Sequence, residues 1–247
     1  MKNPLVTRWR RRFDPHVAAR SKRESRASLF QLFILMIALG FAALTFLARR
    51  KPYFDADLRI GRAVQRLEGR WWHELMHAVS LPGYPPQANV LAAVLPLALY
   101  RIGLKWEAVM GVLTSLGIGV VGLLVKMFVN RPRPHPDLVR VKRLLDGGTL
   151  SFPAGHVQTY VAIIGFAAFI SYTIMQKSWQ RTVALLTSSI FIALIGPARI
   201  HAGEHWPSDV VGGYFLGSLW LWFSVRVYRW GKPRFFVDQS LAGSRRG

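Results

Sequence analysis

An unbroken apolar run, residues 29–48 (LFQLFILMIALGFAALTFLA), constrains this chain more than any other feature: it carries no charge and a single amide, Gln31. Twenty helical residues rise about 30 Å, the depth of a bilayer's hydrocarbon core. Five further apolar stretches follow, at 87–104, 108–128, 157–175, 183–198 and 210–227. The pattern predicts an all-α polytopic membrane bundle of six transmembrane helices. Residues 53–86 are too charged to span. Within them, Leu58, Ile60, Val64 and Leu67 recur at helical spacing among charges, which predicts an interfacial helical segment over 55–66. The expected organisation is a basic cytoplasmic tail over 1–28, a six-helix membrane domain over 29–230 and a second basic tail over 231–247.

Against that background the net charge of +21 takes on a specific meaning. In a soluble domain it would point to nucleic acid. In a chain that is 51% hydrophobic it reads as membrane-hugging tails and anionic headgroup contacts, and no nucleic-acid partner is expected. Arg8, Arg10, Arg11, Arg12, Arg101, Lys105, Lys177, Arg181 and the basic C-terminal residues fall on one side of a six-span topology, which places both termini in the cytoplasm. The other side is also basic, at 49–70 and 126–143, and anionic lipid or substrate explains those charges. The absence of cysteine excludes disulfides and thiolate metal sites. No short apolar stretch ending in small residues precedes residue 29, so 29–48 reads as an uncleaved anchor.

Charges at the ends of spanning segments are costly and are usually functional. Here they fall on one rim: Lys126 to Pro134 after the third span, Ser151 to His156 before the fourth, and Arg199 to Asp209 between the fifth and sixth. Phosphoryl transfer needs fixed cations around oxygens that gain charge, and Lys126, Arg133 and Arg199 supply three. Gly155 permits close approach, and the helix start after Pro153 offers N–H groups to an anion. A neutral imidazole can attack phosphorus. Asp209 lies four residues after His205, a spacing that allows a hydrogen bond fixing the imidazole. His156 can protonate a leaving alkoxide.

These residues resemble the type 2 phosphatidic acid phosphatases, the membrane branch of the phosphatases related to vanadium haloperoxidases. That family carries K-x6-R-P, P-S-G-H and S-R-x5-H-x3-D. The first is complete in Lys126, Arg133 and Pro134, and the third matches at Arg199, His205 and Asp209. The resemblance covers about 86–229. It implies an outward-facing site in a multi-pass cell (cytoplasmic or inner) membrane protein, with a membrane lipid phosphate or diphosphate as substrate and neither metal nor cofactor. His205 would be the nucleophile through a phosphohistidine, Asp209 its partner and His156 the general acid. Lys126, Arg133, Gly155 and Arg199 would form the phosphate cradle. Two hydroxyls of the family pattern are missing, at Ala154 and Ala198. Ala154 is expected to keep its backbone N–H for the phosphate.

Other motifs compete. The two alanines raise a non-catalytic lipid-phosphate binding or transport protein as an alternative. His73-Glu-Leu-Met-His77 spells the H-E-x-x-H of zinc proteases and Leu145-Asp146-Gly147 echoes their intramembrane relatives, but Pro82 cuts that segment short. The other reading of His73 and His77 is interfacial packing with Trp71 and Trp72. Gly117, Gly119 and Gly122 spell G-x-G-x-x-G inside an apolar helix, where helix packing is the better reading, as for Gly213 and Gly217. Arg131, Arg140, Lys142 and Arg143 read as surface contacts to lipid phosphate, and His135, His201 and Glu204 as solvated loop residues.

Overall fold

The computed structural model describes residues 15–84, 87–142 and 149–235, with side chains from residue 27 onward. By internal contacts the chain divides into two units, Met1–Gly40 and Phe41–Gly247. The elements are α1 (Pro15–Arg50), α2 (Asp55–Gln65), α3 (Arg70–Ser80), a 3₁₀ turn (Leu81–Gly83), α4 (Gln87–Arg101), α5 (Lys105–Val129), α6 (Gly155–Ile174), α7 (Trp179–His201) and α8 (Pro207–Phe235). The described residues are otherwise loops, apart from an isolated antiparallel bridge between Pro132 and Leu150.

Among the described residues five helices are long and apolar enough to cross a membrane: 27–50 of α1, α5, α6, α7 and α8. Their outward side chains are large and apolar, among them Leu116, Leu123 and Leu124 of α5 and Leu186 and Ile190 of α7, as a lipid-facing surface requires. The sixth expected span, 87–104, yields only the 15 residues of α4. Gly103 ends it: at φ +86° it takes the left-handed conformation, and the Leu104 N–H turns back to the Leu99 carbonyl at 2.9 Å. At its other end, α8 runs to Phe235, past the boundary expected for the C-terminal tail.

Of the four apolar clusters in the Phe41–Gly247 unit, the two largest lie apart along the helices. One joins Met76 and Val79 of α3 with Val157, Ile195 and Val210, next to the charged rim. The other joins Leu99, Met110, Phe166, Ile170 and Tyr228 at the opposite end. There a buried Glu107 accepts from Tyr228 Oη (2.8 Å) and Lys232 Nζ (2.6 Å), so the basic end of α8 is tied to the start of α5. Between the clusters, small residues let backbones close. A Cβ on Gly122 would fall 1.8 Å from Gln158 Nε2, and one on Gly217 would fall 2.7 Å from Val161 Cβ and 2.9 Å from the Gln158 carbonyl. The glycines of α5 and α8 thus seat α6, although Gly119 itself faces open space.

Helix α2 forms where its spacing predicts, but with an unexpected inner face. Asp57, Gly61 and Gln65 are buried, whereas Ile60 and Leu67 are about half exposed. The inner face is polar because it meets backbone carbonyls and charged groups rather than an apolar wall. Gln65 Nε2 donates to the Arg140 carbonyl at 2.7 Å, and Gln65 Oε1 accepts from Arg140 N at 3.0 Å.

Candidate active site

Four helix ends meet at the rim. Helix α5 closes at Asn130, one of the residues that tolerate the left-handed conformation (φ 51°), whose N–H returns to the Lys126 carbonyl. The chain then runs extended through Arg131 to Pro134 and pairs with 150–151, where Ser151 N donates to the Arg131 carbonyl at 2.8 Å. A cis Phe152–Pro153 peptide leads into α6, which begins with Gly155 and His156. Arg199 lies in the last turn of α7 and Asp209 in the first turn of α8. Between them Gly203, at φ +68°, packs against the Arg140 carbonyl, which a Cβ would strike at 2.0 Å.

A buried charge network fixes these ends. Asp209 is fully buried. Its Oδ1 accepts from Arg131 Nη1 at 2.6 Å; its Oδ2 accepts from the Trp206 N–H at 2.9 Å and from the Ser151 hydroxyl. The Trp206 bond is the reach of a first-turn acid back to the N-cap N–H. Arg131, also buried, gives Nη2 to Asp57 Oδ2 at 2.9 Å and Nε to the Pro52 carbonyl at 3.0 Å. Asp57 accepts in addition from Ser208 N and Oγ, each at 2.8 Å. One guanidinium therefore bridges two buried carboxylates, a task its planar fork suits and a lysine could not match.

The second layer faces the open part of the site. Lys126 Nζ donates to the Leu150 carbonyl at 3.2 Å. Arg199, also buried, donates Nη1 to Tyr84 Oη at 2.7 Å and Nη2 to the Glu204 carboxylate. Tyr84 Oη donates to Glu204 Oε1 at 2.5 Å, and Arg133 Nη1 lies 3.6 Å from Glu204 Oε2. The Tyr84 ring stands edge-on to His156, centroids 4.7 Å apart. Burial, partly offset by Arg199, pushes the Tyr84 hydroxyl up to about 12. His205 is buried, and that burial, followed by the charges of Lys126, Arg133 and Arg199, holds its pKa well below the usual range, so the ring is neutral at neutral pH. Within this cluster His205 Nδ1, His156 Nε2 and Arg199 Nε are buried without a hydrogen-bond partner.

Lys126, Arg133, His156, Arg199, His205 and Asp209 thus come to one place. Several details depart from the expectations. The His205–Asp209 contact is longer than a hydrogen bond, Nδ1 to Oδ2 being 3.7 Å, because Ser151 and Trp206 already occupy Oδ2. The Ala154 N–H, expected to serve a phosphate, donates instead to the Asp209 carbonyl at 3.0 Å, and Ala154 lies in the apolar cluster below the rim. Gly155 needs no glycine for packing. A Cβ there would meet only Lys126 Cε at 3.9 Å, so its open side faces the cations. Arg131 is no surface contact but the buried organiser of Asp209. Glu204 is no solvated loop residue; it is buried between Arg199, Arg133 and Tyr84. Arg140 does lie on the surface, paired with Glu68 at 2.7 Å, and His135 stays exposed beside Asp137. Of the zinc-protease motif, Glu74 turns outward to Arg70 (2.8 Å), and no group of three or more His, Cys, Asp or Glu among the described residues is arranged to hold a metal ion. Arg143 and Leu145-Asp146-Gly147 lie outside the described residues. No periodicity marks Arg131, Asp57 or Glu204 for burial; the pairing of the two acids with arginines is tertiary.

The sequence profile of the PAP2 superfamily matches residues 106–233, which include every residue of this cluster except Tyr84 and Asp57. The chain belongs to the PAP2 superfamily. It is 22% identical over 202 residues to phosphatidylglycerophosphatase B of Bacillus subtilis, covering 81% of this chain and 93% of that protein. It is 28% identical over 91 residues to an undecaprenyl-diphosphatase of Sulfolobus acidocaldarius, covering 37% of this chain and 39% of that one. Its fold is that of the crystal structure of the transmembrane PAP2-type phosphatidylglycerolphosphate phosphatase from Bacillus subtilis, with a TM-score of 0.67 at 20% identity over 82% of this chain and 98% of that chain. The protein is thus a membrane-embedded member of a phosphatase superfamily.

Proposed function

We propose that this protein is a metal-independent lipid phosphatase acting through a phosphohistidine. The observation that carries the reading is the pair of buried, unpartnered nitrogens His156 Nε2 and Arg199 Nε, gathered with a neutral, buried His205 beside Lys126 and Arg133. Buried polar groups are ordinarily satisfied. A phosphoryl group would satisfy these, its oxygens taking Arg199, Arg133, Lys126 and the N–H groups at Gly155. In the first step a neutral His205 nitrogen forms the N–P bond while the P–O bond to the lipid breaks, and a protonated His156 gives its proton to the leaving oxygen. In the second, water attacks phosphorus, its proton passes to His156, and the N–P bond breaks to release inorganic phosphate. Asp209, held by Arg131 and Ser151, stabilises the positive ring of the phosphohistidine. A shift of about 1 Å would close its contact to His205, and such tightening on substrate binding is common.

The substrate class rests on family membership and on relatives named for lipid phosphates and diphosphates. A phosphatidylglycerol phosphate is the first to test, because the phosphatidylglycerophosphatase relative aligns over most of this chain; undecaprenyl diphosphate and phosphatidic acid follow. The reading includes a six-span topology in which the short α4, about 22 Å long, completes the bundle in a locally thinned bilayer. Both termini are then cytoplasmic and the site opens outward, with α2 at the outer interface.

Detergent-solubilised protein should release phosphate from at least one of these lipids in the presence of EDTA. His205→Ala should abolish turnover, and acid-labile ³²P label should accumulate on His156→Ala only if that variant stalls after transfer. Near-normal turnover by His205→Ala would remove it as nucleophile.

A further inference from the structure

The histidines of the H-E-x-x-H segment have no part in the chemistry above, yet they are not idle surface groups. His73 and His77 of α3, His201 of α7 and Lys142 line a cavity of about 260 Å³. Among the described residues no carboxylate lines it, and Glu74 points away to Arg70. The His73 and His201 rings lie 5.7 Å apart, and His201 Nδ1 is buried without a partner. Lys142 is fixed beside them by its N–H, which donates to the Ala202 carbonyl at 2.8 Å. Tyr84 forms the wall toward the catalytic cluster: one side lines the cavity, while its ring meets His156 and its hydroxyl meets Arg199.

The direction of the reaction gives this cavity a meaning. His156 delivers a proton to the leaving oxygen, so the leaving group lies on the His156 side of the phosphorus. Tyr84 stands between that side and a chamber that, among the described residues, is lined by an ammonium, three imidazoles and no acid. We propose that the cavity is a second anion subsite, and that it selects lipids whose leaving group itself carries a phosphate. A phosphodiester joined through glycerol and the inner phosphate of a diphosphate share this chemistry; a neutral diacylglycerol leaving group lacks it. The inference rests on the lipid-phosphatase reading for its substrate, though not for its ligand chemistry.

The test compares wild type with a His201→Gln/Lys142→Gln double variant on three lipids in the same detergent: a phosphatidic acid, a prenyl diphosphate and a phosphatidylglycerol phosphate. The expected result is a KM about tenfold higher for at least one doubly phosphorylated lipid, the loss of roughly one charge-assisted hydrogen bond. kcat should be little changed, and kcat/KM for phosphatidic acid should stay within twofold, which also shows that the variant is folded. Which doubly phosphorylated lipid suffers identifies the spacing. Equal changes on all three lipids, or none, would overturn the subsite. A second arm needs no turnover. Calorimetry on the His205→Ala protein should show propanediol bisphosphate binding about tenfold more tightly than propyl phosphate, with the difference lost when His201→Gln and Lys142→Gln are added. If wild type hydrolyses none of the lipids, the phosphatase reading fails and this arm alone decides the subsite; equal binding of the two probes refutes it.

Discussion

Asp209 shows how much of a site can rest on a residue that its motifs leave unspecified. Its carboxylate is buried, and Arg131 is the cation that meets it. Arg131→Met would leave Asp209 and Asp57 charged and unpaired, at a cost of about 3–5 kcal/mol. Thermal unfolding in detergent should show the loss, and Arg131→Lys should recover only part of it, since an ammonium cannot span both acids and the Pro52 carbonyl. A full recovery with lysine would show that charge alone matters there. His205 makes a different kind of prediction. Burial and three cations lower its pKa, so it stays neutral through pH 6.5 and the acid limb of kcat/KM lies below that value. Arg133→Gln removes one of those cations, so the limb should move up toward 6.5 and acid inactivation should begin at higher pH. The stability linkage has the same origin. The unfolded chain protonates this histidine near 6.5 while the folded one resists, so stability is lost as pH falls from there toward the folded value. A limb that moves down in Arg133→Gln would contradict the electrostatic origin of the shift.

Among the helices, α8 and α6 set the geometry that matters, because Asp209 begins one and His156 the other. Their closeness depends on Gly217, where any side chain would meet Val161 and the backbone of Gln158. Gly217→Leu should cost about 1–3 kcal/mol by overpacking, and should lower kcat even where the protein remains folded, as His156 and Asp209 move apart. Unchanged kcat in a folded Gly217→Leu would show that the rim tolerates their separation. Helix α2 carries a complementary lesson. Its periodicity located it within a residue, but the face that it buries is the one with Asp57 and Gln65. Apolar spacing locates a helix; it does not say which side turns inward when the neighbour is a set of arginines and carbonyls rather than a hydrocarbon core.

For the molecule as a whole, the proposed topology puts the catalytic rim and the 175–178 turn on opposite sides of the membrane. The chain has no cysteine, so single-cysteine variants report without background. In intact cells, His135→Cys should react with a membrane-impermeant maleimide, and Lys177→Cys should react only after lysis. The reverse pattern would invert the topology. Sequence by itself determined that the chain is a helical membrane protein, where five of its spans lie, and which residues form the three charged motifs. Those properties are local: apolar length and fixed spacing are written along the chain. Tertiary structure alone decided that Arg131 and Glu204 are buried partners of the site, that the Ala154 N–H is already engaged, and that His73, His77 and His201 share a cavity. Each depends on what lies across from a side chain, and a charge will accept burial only where a distant part of the chain brings its counter-charge.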